Sequence, residues 1–473
     1  MSIPEALQTR PMPSVDTMTI DTSILEPLVI NDTFCRFVLE RKGILDSGST
    51  IQLSVLAGVP DTAVLPLHTG IHALIKRAVL RIGTKVVAIT DSYGAYATMH
   101  RSVKTPEEKS QKDMVTAGTL DVICPSVNQN GQYQLRDVKG VQLGLDEPLQ
   151  QTVLSNVAGQ SPLFTIKLSQ LFPMMRNIQL PLYLIDEPCS VELHFNTQKG
   201  TVGEQGKVAV FLDTAMAANV KTAVVDQTSV RLLCDYLTYS DDRMNQSASM
   251  AMSEEGMVIP YEDVVTTNTN FSGENNLIVP TAKTEIRDIG ISGMKCRAIL
   301  GHMRPNYVDW SAQLLGHYES KAYQIPLRYQ IRVNDKEVYQ RPQDNESKKA
   351  NEFSAAMNAP ISVGSGEYSL DTLVNKEDPN RVINNNYFDG TIGAGANPGA
   401  GPLEYTSLEG GSNYMGVDFS SPGNYGVNIS QKPVQITSTT TNTAQDGTGR
   451  TVAYYSMVER QMSIKNGVVM VSA

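Results

Sequence analysis

One arrangement recurs in this chain and limits what it can fold into. A strand, a tight turn, a short strand and a polar helical stretch follow one another twice, roughly 250 residues apart. In the first copy residues 74–82 run into the turn Gly83-Thr84 and then 85–89. A polar stretch follows over 92–112, where Pro106-Glu107-Glu108-Lys109 marks the start of a short helix. In the second copy residues 327–333 run into Asn334-Asp335 and then 336–341. Residues 344–357 come next, rich in Glu, Lys and Ala and of good helix propensity. The halves also end alike, in the apolar, Tyr-containing runs 230–239 and 452–471. These repeats predict two copies of one all-β domain, joined near 240–253.

Alternation supports the strand reading. Leu327, Tyr329, Ile331 and Val333 alternate with Arg328, Gln330, Arg332 and Asn334. Period two is the mark of a strand with one buried face. The apolar set is therefore expected in a core, with Arg328 and Arg332 pointing away from it. Val191, Leu193 and Phe195 alternate in the same way with Glu192, His194 and Asn196. Turn pairs such as Asn130-Gly131, Asn334-Asp335 and Asn466-Gly467 separate such runs, as in sandwiches and barrels. Two segments look unlike core strands. Residues 384–411 are rich in Gly, Asn and Pro and read as a long exposed loop. Residues 437–448 are rich in Thr and read as a polar connection.

Length and composition narrow the function classes. The 473 residues suffice for two sizeable cores. The net charge of −10 argues against a protein that coats phosphate backbones, so no direct nucleic-acid binding is expected. Five spaced cysteines, at 35, 124, 189, 234 and 296, form no C-x-x-C pair. They read as reduced thiols, several of them buried, rather than as a disulfide or zinc framework. The N-terminus lacks a signal-peptide pattern. No apolar run reaches the ~18 residues that span a bilayer, since 171–185 is broken by Arg176, Asn177 and two prolines.

The familiar catalytic motifs are missing: G-x-S-x-G, G-x-x-x-x-G-K-[ST], H-E-x-x-H and D-x-D-x-D-G. His68 and His72 have metal-ligand spacing for a helix, but Pro66 and Gly70 argue against a helix there and favour a plain loop or surface pair. Asp241-Asp242 could hold calcium, yet beside Arg243 it reads better as a turn cap or surface ion pair. Aromatics at 6% and the single Trp310 give little for a sugar cleft. No catalytic, cofactor-binding or metal residue is therefore expected.

Five segments resemble the double jelly-roll major capsid proteins of large eukaryotic DNA viruses, virophages and polinton-like viruses. VRLLCDYLTYSDDRM at 230–244 resembles the strand and acidic-Arg turn that close the family's first jelly roll. LIKRAVLRIGTKVV at 74–87 resembles its first hairpin, with Thr84 in place of a glycine. SPLFTIKLSQLFPMMRNIQLPLYLI, from 161, resembles a stretch with an Arg-Asn turn and a Leu-Pro-Leu. VNDKEVYQR at 333–341 resembles the second hairpin, with Asp335 for glycine, and 453–473 resembles the terminal strands.

The resemblance implies an all-β fold of two consecutive eight-stranded jelly-roll sandwiches with short helices in the loops. The expected layout is an arm over 1–24, a first jelly roll over 25–240 and a second over 250–473, with the 384–411 loop on the outer face. It implies a structural protein of the virion, made in the host cytoplasm or nucleus, and not an enzyme. Its copies would form a pseudo-hexagonal homotrimer that tiles an icosahedral shell. Neighbouring capsomers, penton and minor capsid proteins and an inner membrane would be its partners. The alternative is a receptor- or carbohydrate-binding β-sandwich of fibre or spike type.

Overall fold

The structure is a computed structural model. It describes residues 18–57, 63–65, 69–104, 108–119, 122–127, 133–137, 142–143, 153–154, 161–196, 212–213, 223–239, 241–271, 281–291, 295–305, 326–339, 341–343, 346–357, 414–420, 425–429, 432–442 and 450–472. The loop expected over 384–411, the turn Asn130-Gly131, His68 and Trp310 lie outside these residues, as does most of the expected N-terminal arm.

The first half contains β1 (Thr19–Leu25), β2 (Val29–Asn31), β3 (Phe34–Val38), β4 (Thr50–Leu53), β5 (Ile75–Ile82), β6 (Lys85–Asp91), β7 (Phe164–Lys167), β8 (Cys189–Phe195) and β9 (Arg231–Thr238). One sheet has the order β1-β9-β4-β7 and the other β2-β3-β8-β5-β6, all antiparallel. The pairs β1·β9, β3·β8, β4·β7 and β5·β6 are nested, first with last and inward. Nested pairing wrapped into two facing sheets is the jelly roll. Part of the segment expected as an arm is therefore strand, since β1 runs along β9 from Thr19↔Thr238 to Leu25↔Leu232.

The second half repeats this topology. Its strands are β10 (Met257–Phe271), β11 (Thr281–Ile289), β12 (Lys295–Pro305), β13 (Pro326–Val333), β14 (Lys336–Glu337), β15 (Tyr414–Asp418), β16 (Val434–Asn442), β17 (Arg450–Lys465) and β18 (Val468–Ser472). The sheets are β10-β17-β12-β15, with β18 on β17, and β11-β16-β13-β14. The nested pairs recur as β10·β17, β11·β16, β12·β15 and β13·β14. The chain is thus two consecutive jelly rolls.

Turn chemistry explains the hairpins. Asn334 and Asp335 both have positive φ, as do Asn466 and Gly467. Two left-handed central residues make a type I′ turn, whose twist matches that of paired strands. Asp tolerates this region because its short side chain bonds locally, so the missing glycine at 335 does not break the hairpin. At the first hairpin only Gly83 needs positive φ, and Thr84 is accommodated beside it.

The helices expected from composition form as α1 (Tyr93–Ser102), α2 (Met114–Ala117) and α4 (Glu346–Ala356), with a π-helical turn over Glu108–Asp113. The junction between the halves holds a further helix, α3 (Asp241–Met252). Asp241 and Asp242 begin it, and the Arg243 guanidinium lies 4.6 Å from the Tyr239 ring. The Thr-rich stretch is a strand through Asn442, not a connection. Its β-branched residues pair with β11 on one side and β13 on the other.

Tyr329, Ile331 and Val333 are buried and Arg328 is exposed, as the alternation requires, but Gln330, expected on the polar face, is buried as well, its side-chain amide donating to the Tyr339 carbonyl at 3.0 Å. Arg332 is half-buried and pairs with Glu337 at 3.0 Å. The side chain of Leu327 lies outside the described residues. Ile331→Ala is expected to cost about 2–5 kcal/mol, measured by urea unfolding, because the site is closed on all sides. In β8 the alternation is partly overridden. Glu192 is buried on the outer face, between Arg36 at 3.7 Å and Arg81 at 2.9 Å on the flanking strands. Two cations satisfy a carboxylate that a lone strand would have left in water.

Candidate functional site

The half-chains do not have two separate cores. One cluster, led by Ile331, Tyr454 and Val458, fills the second roll. The other fills the first roll and continues through Tyr261, Val264, Tyr455, Met457, Met462, Ile464 and Val469 of the second. The seam between the rolls is therefore built as an interior, and it is the candidate functional feature of the molecule.

Strands β10 and β17 carry the seam. They lie along each other from Met257↔Ile464 to Phe271↔Arg450. Residues of both faces of β10 reach the first roll. The Tyr261 hydroxyl donates to the Val87 carbonyl at 2.8 Å, and Thr266 Oγ1 donates to the Asp91 carbonyl at 3.5 Å. On β17 the Tyr455 hydroxyl donates to the Ser92 carbonyl at 3.0 Å, while its ring lies 5.5 Å from that of Tyr96. Ser92, at φ 50° and ψ 44°, is the left-handed residue that starts α1.

The C-terminal hairpin clasps the first roll. The Asp186 amide donates to the Gly467 carbonyl at 2.9 Å, and the Val469 amide donates to Glu187 Oε2 at 3.2 Å. Lys85 Nζ reaches Glu187 Oε1 at 3.3 Å and also donates to the Val469 carbonyl. Side chains thus cap the backbone groups that β18 would otherwise offer to another strand, which guards an edge against foreign pairing. Gly467 is required here on two counts: its φ is +77°, and a Cβ would collide with the Asp186 carboxylate.

Buried polar groups gather around α1. His72 is buried, not on a surface loop. It sits in a 3-10 turn, Gly70–Leu74, that starts at a left-handed glycine. Gly70, read in the sequence as a helix breaker, is what lets this short turn begin. Burial pushes the His72 imidazole down to about 4, helped by Lys104. The ring is neutral near pH 7, and its Nδ1 shares a hydrogen bond of 3.0 Å with the Tyr93 hydroxyl. His100 is held well below its ordinary range by burial and by Arg176, whose Nη2 lies 3.2 Å from its Nε2. Lys104 Nζ binds both oxygens of Asp113 at 2.8 Å. Each of these groups is satisfied from within the fold, an arrangement that fixes structure.

Asp263 is the exception in charge. Its side chain is fully buried at the seam, with Arg460 Nη1 2.9 Å from Oδ2. Burial raises its carboxyl to about 6, against the opposing pull of Arg460 and of the Val264 and Ile89 amides. A carboxyl raised in the folded state contributes stability below its ordinary range near ~4, and that contribution is lost as pH rises through 6. Thermal unfolding of the protein should therefore show about 2 kcal/mol less stability at pH 8 than at pH 4 from this group alone. Asp263→Asn should remove that difference, and an unchanged pH slope would contradict it.

The sequence-expected positions are placed as follows. Cys35, Cys189, Cys234 and Cys296 are free and buried, and burial pushes the first two thiols to about 12. The apolar run at 171–185 includes two short 3-10 turns, Pro173–Arg176 and Leu182–Leu184, and its Phe172, Met174, Met175, Leu180 and Leu182 join the shared core. Among the described residues no group of three His, Cys, Asp or Glu is placed to hold a metal, and no helix is long and apolar enough to cross a membrane. Asp263 and Arg460 had no sequence signal, because neither lies in an alternating run.

No family model and no curated protein sequence matches the chain. Solved structures do. A chain of the Sputnik virophage structure aligns with TM-score 0.57 and 11% identity, covering 100% of this chain and 92% of that one. The Faustovirus major capsid protein aligns with TM-score 0.53 and 10% identity, covering 97% and 92%. The mavirus major capsid protein aligns with TM-score 0.51 and 10% identity, covering 100% and 95%. The chain has, along nearly its whole length, the double jelly-roll fold of these viral capsid proteins.

Proposed function

We propose that the chain is a major capsid protein, a structural component of an icosahedral virion and not an enzyme. The observation that carries this reading is the shared core, which fixes two jelly rolls side by side as one block. A block of two similar lobes, used three times, gives a ring of six lobes. Such rings have the outline that tiles a flat facet. On this reading residues 25–240 and 250–473 are the two lobes. The homotrimer meets neighbouring capsomers, penton and minor capsid proteins. A binding or fibre-type sandwich would have no need to fuse its cores.

Sedimentation of the purified chain tests this. A species of three times the 51.6 kDa chain mass is expected. A monomer at every concentration, with turnover of a substrate or binding of a glycan, would overturn it.

A further inference from the structure

The seam has an opening that its own contacts do not fill. An open groove of about 560 Å³ lies between the start of β6 in the first roll and the β17–β18 hairpin of the second. Val86, Met470 and Val471 line it with apolar surface, and Lys85 and Arg460 supply its charge. A volume of this order suits a small molecule. Apolar walls with a few convergent polar groups are the usual make-up of a ligand site.

The two cations differ in how far the fold satisfies them. Lys85 Nζ is held by the clasp, with both Glu187 oxygens at 3.3 Å and the Val469 carbonyl beside it. Arg460 is less fully used. Nη1 lies 2.9 Å from Asp263 Oδ2, and the Tyr261 hydroxyl meets the same side chain. Its Nε is buried and has no hydrogen-bond partner among the described residues. A guanidinium carries five donors in a planar fork that fits an oxyanion at two points. An oxyanion that reaches Arg460 from the groove would give it the acceptors it lacks, and a buried donor without one is costly. The acid against Arg460 is Asp263, which titrates near 6, while Glu187 faces Lys85. With a proton on Asp263 the charge of the guanidinium is left without a counter-charge.

We propose that this groove binds an anionic amphiphile, with its oxyanion head on Arg460 and Lys85 and its hydrocarbon tail along Val86, Met470 and Val471. The walls come from both rolls, so the ligand ties β6 to the β17–β18 hairpin and closes the seam at this edge. The site lies within one chain. Its failure would leave the capsomer reading standing.

Calorimetric titration of the full-length chain with octanesulfonate tests this, because the head of that probe stays charged across the pH range used. One equivalent per chain is expected. Octanol, which lacks the charge, and methanesulfonate, which lacks the tail, should each bind about tenfold more weakly or worse. Octanesulfonate should bind about fivefold more tightly at pH 5 than at pH 8, and Asp263→Asn should abolish that difference. Arg460→Gln should weaken binding about tenfold. Should that variant misfold, Met470→Glu decides the matter. Met470 is 52% exposed, so the change should leave the melting temperature alone while its negative charge weakens binding about tenfold. Flotation with phosphatidylglycerol vesicles separates two sources of the head. Co-flotation that Met470→Glu abolishes assigns the site to a bilayer lipid, and octanesulfonate binding without co-flotation assigns it to a free amphiphile. No saturable binding of octanesulfonate, equal affinity for methanesulfonate, a pH-independent affinity, or full affinity in Met470→Glu overturns the proposal.

Discussion

Arg297→Ala is expected to destabilise the second jelly roll by about 3–5 kcal/mol, as removal of one member of a buried ion pair does. Arg297 Nε donates to Glu262 Oε2 at 2.7 Å and Nη2 to Oε1 at 3.3 Å, a two-point pairing. Nη1 donates to the Ala356 carbonyl at 3.0 Å, at the end of α4. The arginine side chain is 8% exposed and the glutamate 13%, so little water can replace the lost partner. After the change Glu262 would keep, among the described residues, the Tyr425 hydroxyl at 2.8 Å. The last carbonyl of α4 would lose its donor. A double variant, Glu262→Gln with Arg297→Met, removes both charges and should cost far less than Arg297→Ala alone. Urea unfolding of the three proteins checks this. A single-variant loss below about 1 kcal/mol would place the pair among weak surface bridges.

Tyr455→Ala should cost a similar amount, about 3–5 kcal/mol, and should change the shape of the transition as well as its position. Tyr455 is fully buried at the seam, against Tyr96 and the start of α1. The parent should unfold in one calorimetric transition, because its two rolls share a core. Emptying that position weakens the seam more than either sandwich, so the variant should show the rolls melting apart. Tyr455→Phe keeps the ring and loses only the bond to Ser92, a loss of about 1 kcal/mol. Two well-separated transitions in the parent would contradict the shared core.

Much of the fold was legible because local rules and tertiary structure agree. The alternation at Tyr329, Ile331 and Val333 reports a strand with one buried face, and Asn334-Asp335 and Asn466-Gly467 report turns whose backbone those residues favour. The seam was not legible, for a physical reason. Between Val452 and Val458 every residue is buried. A strand covered on both faces loses its period and reads only as an apolar run. Asp263, in a strand that touches the first roll, looks like any polar residue on a solvated face. The helix Asp241–Met252 was missed because Asn, Gln, Ser and Met spread along it leave almost no apolar stripe, Ala251 being its one buried apolar residue. The Thr-rich end of β16 was misread because threonine is polar in composition yet favours strands.

Electron micrographs of the purified full-length protein, classified and averaged, test the account most directly. It predicts three-fold particles with a near-hexagonal outline, each made of six jelly-roll lobes, two per chain joined by the internal seam. Two-lobed single chains at every concentration, or particles whose lobes separate within a chain, would contradict it.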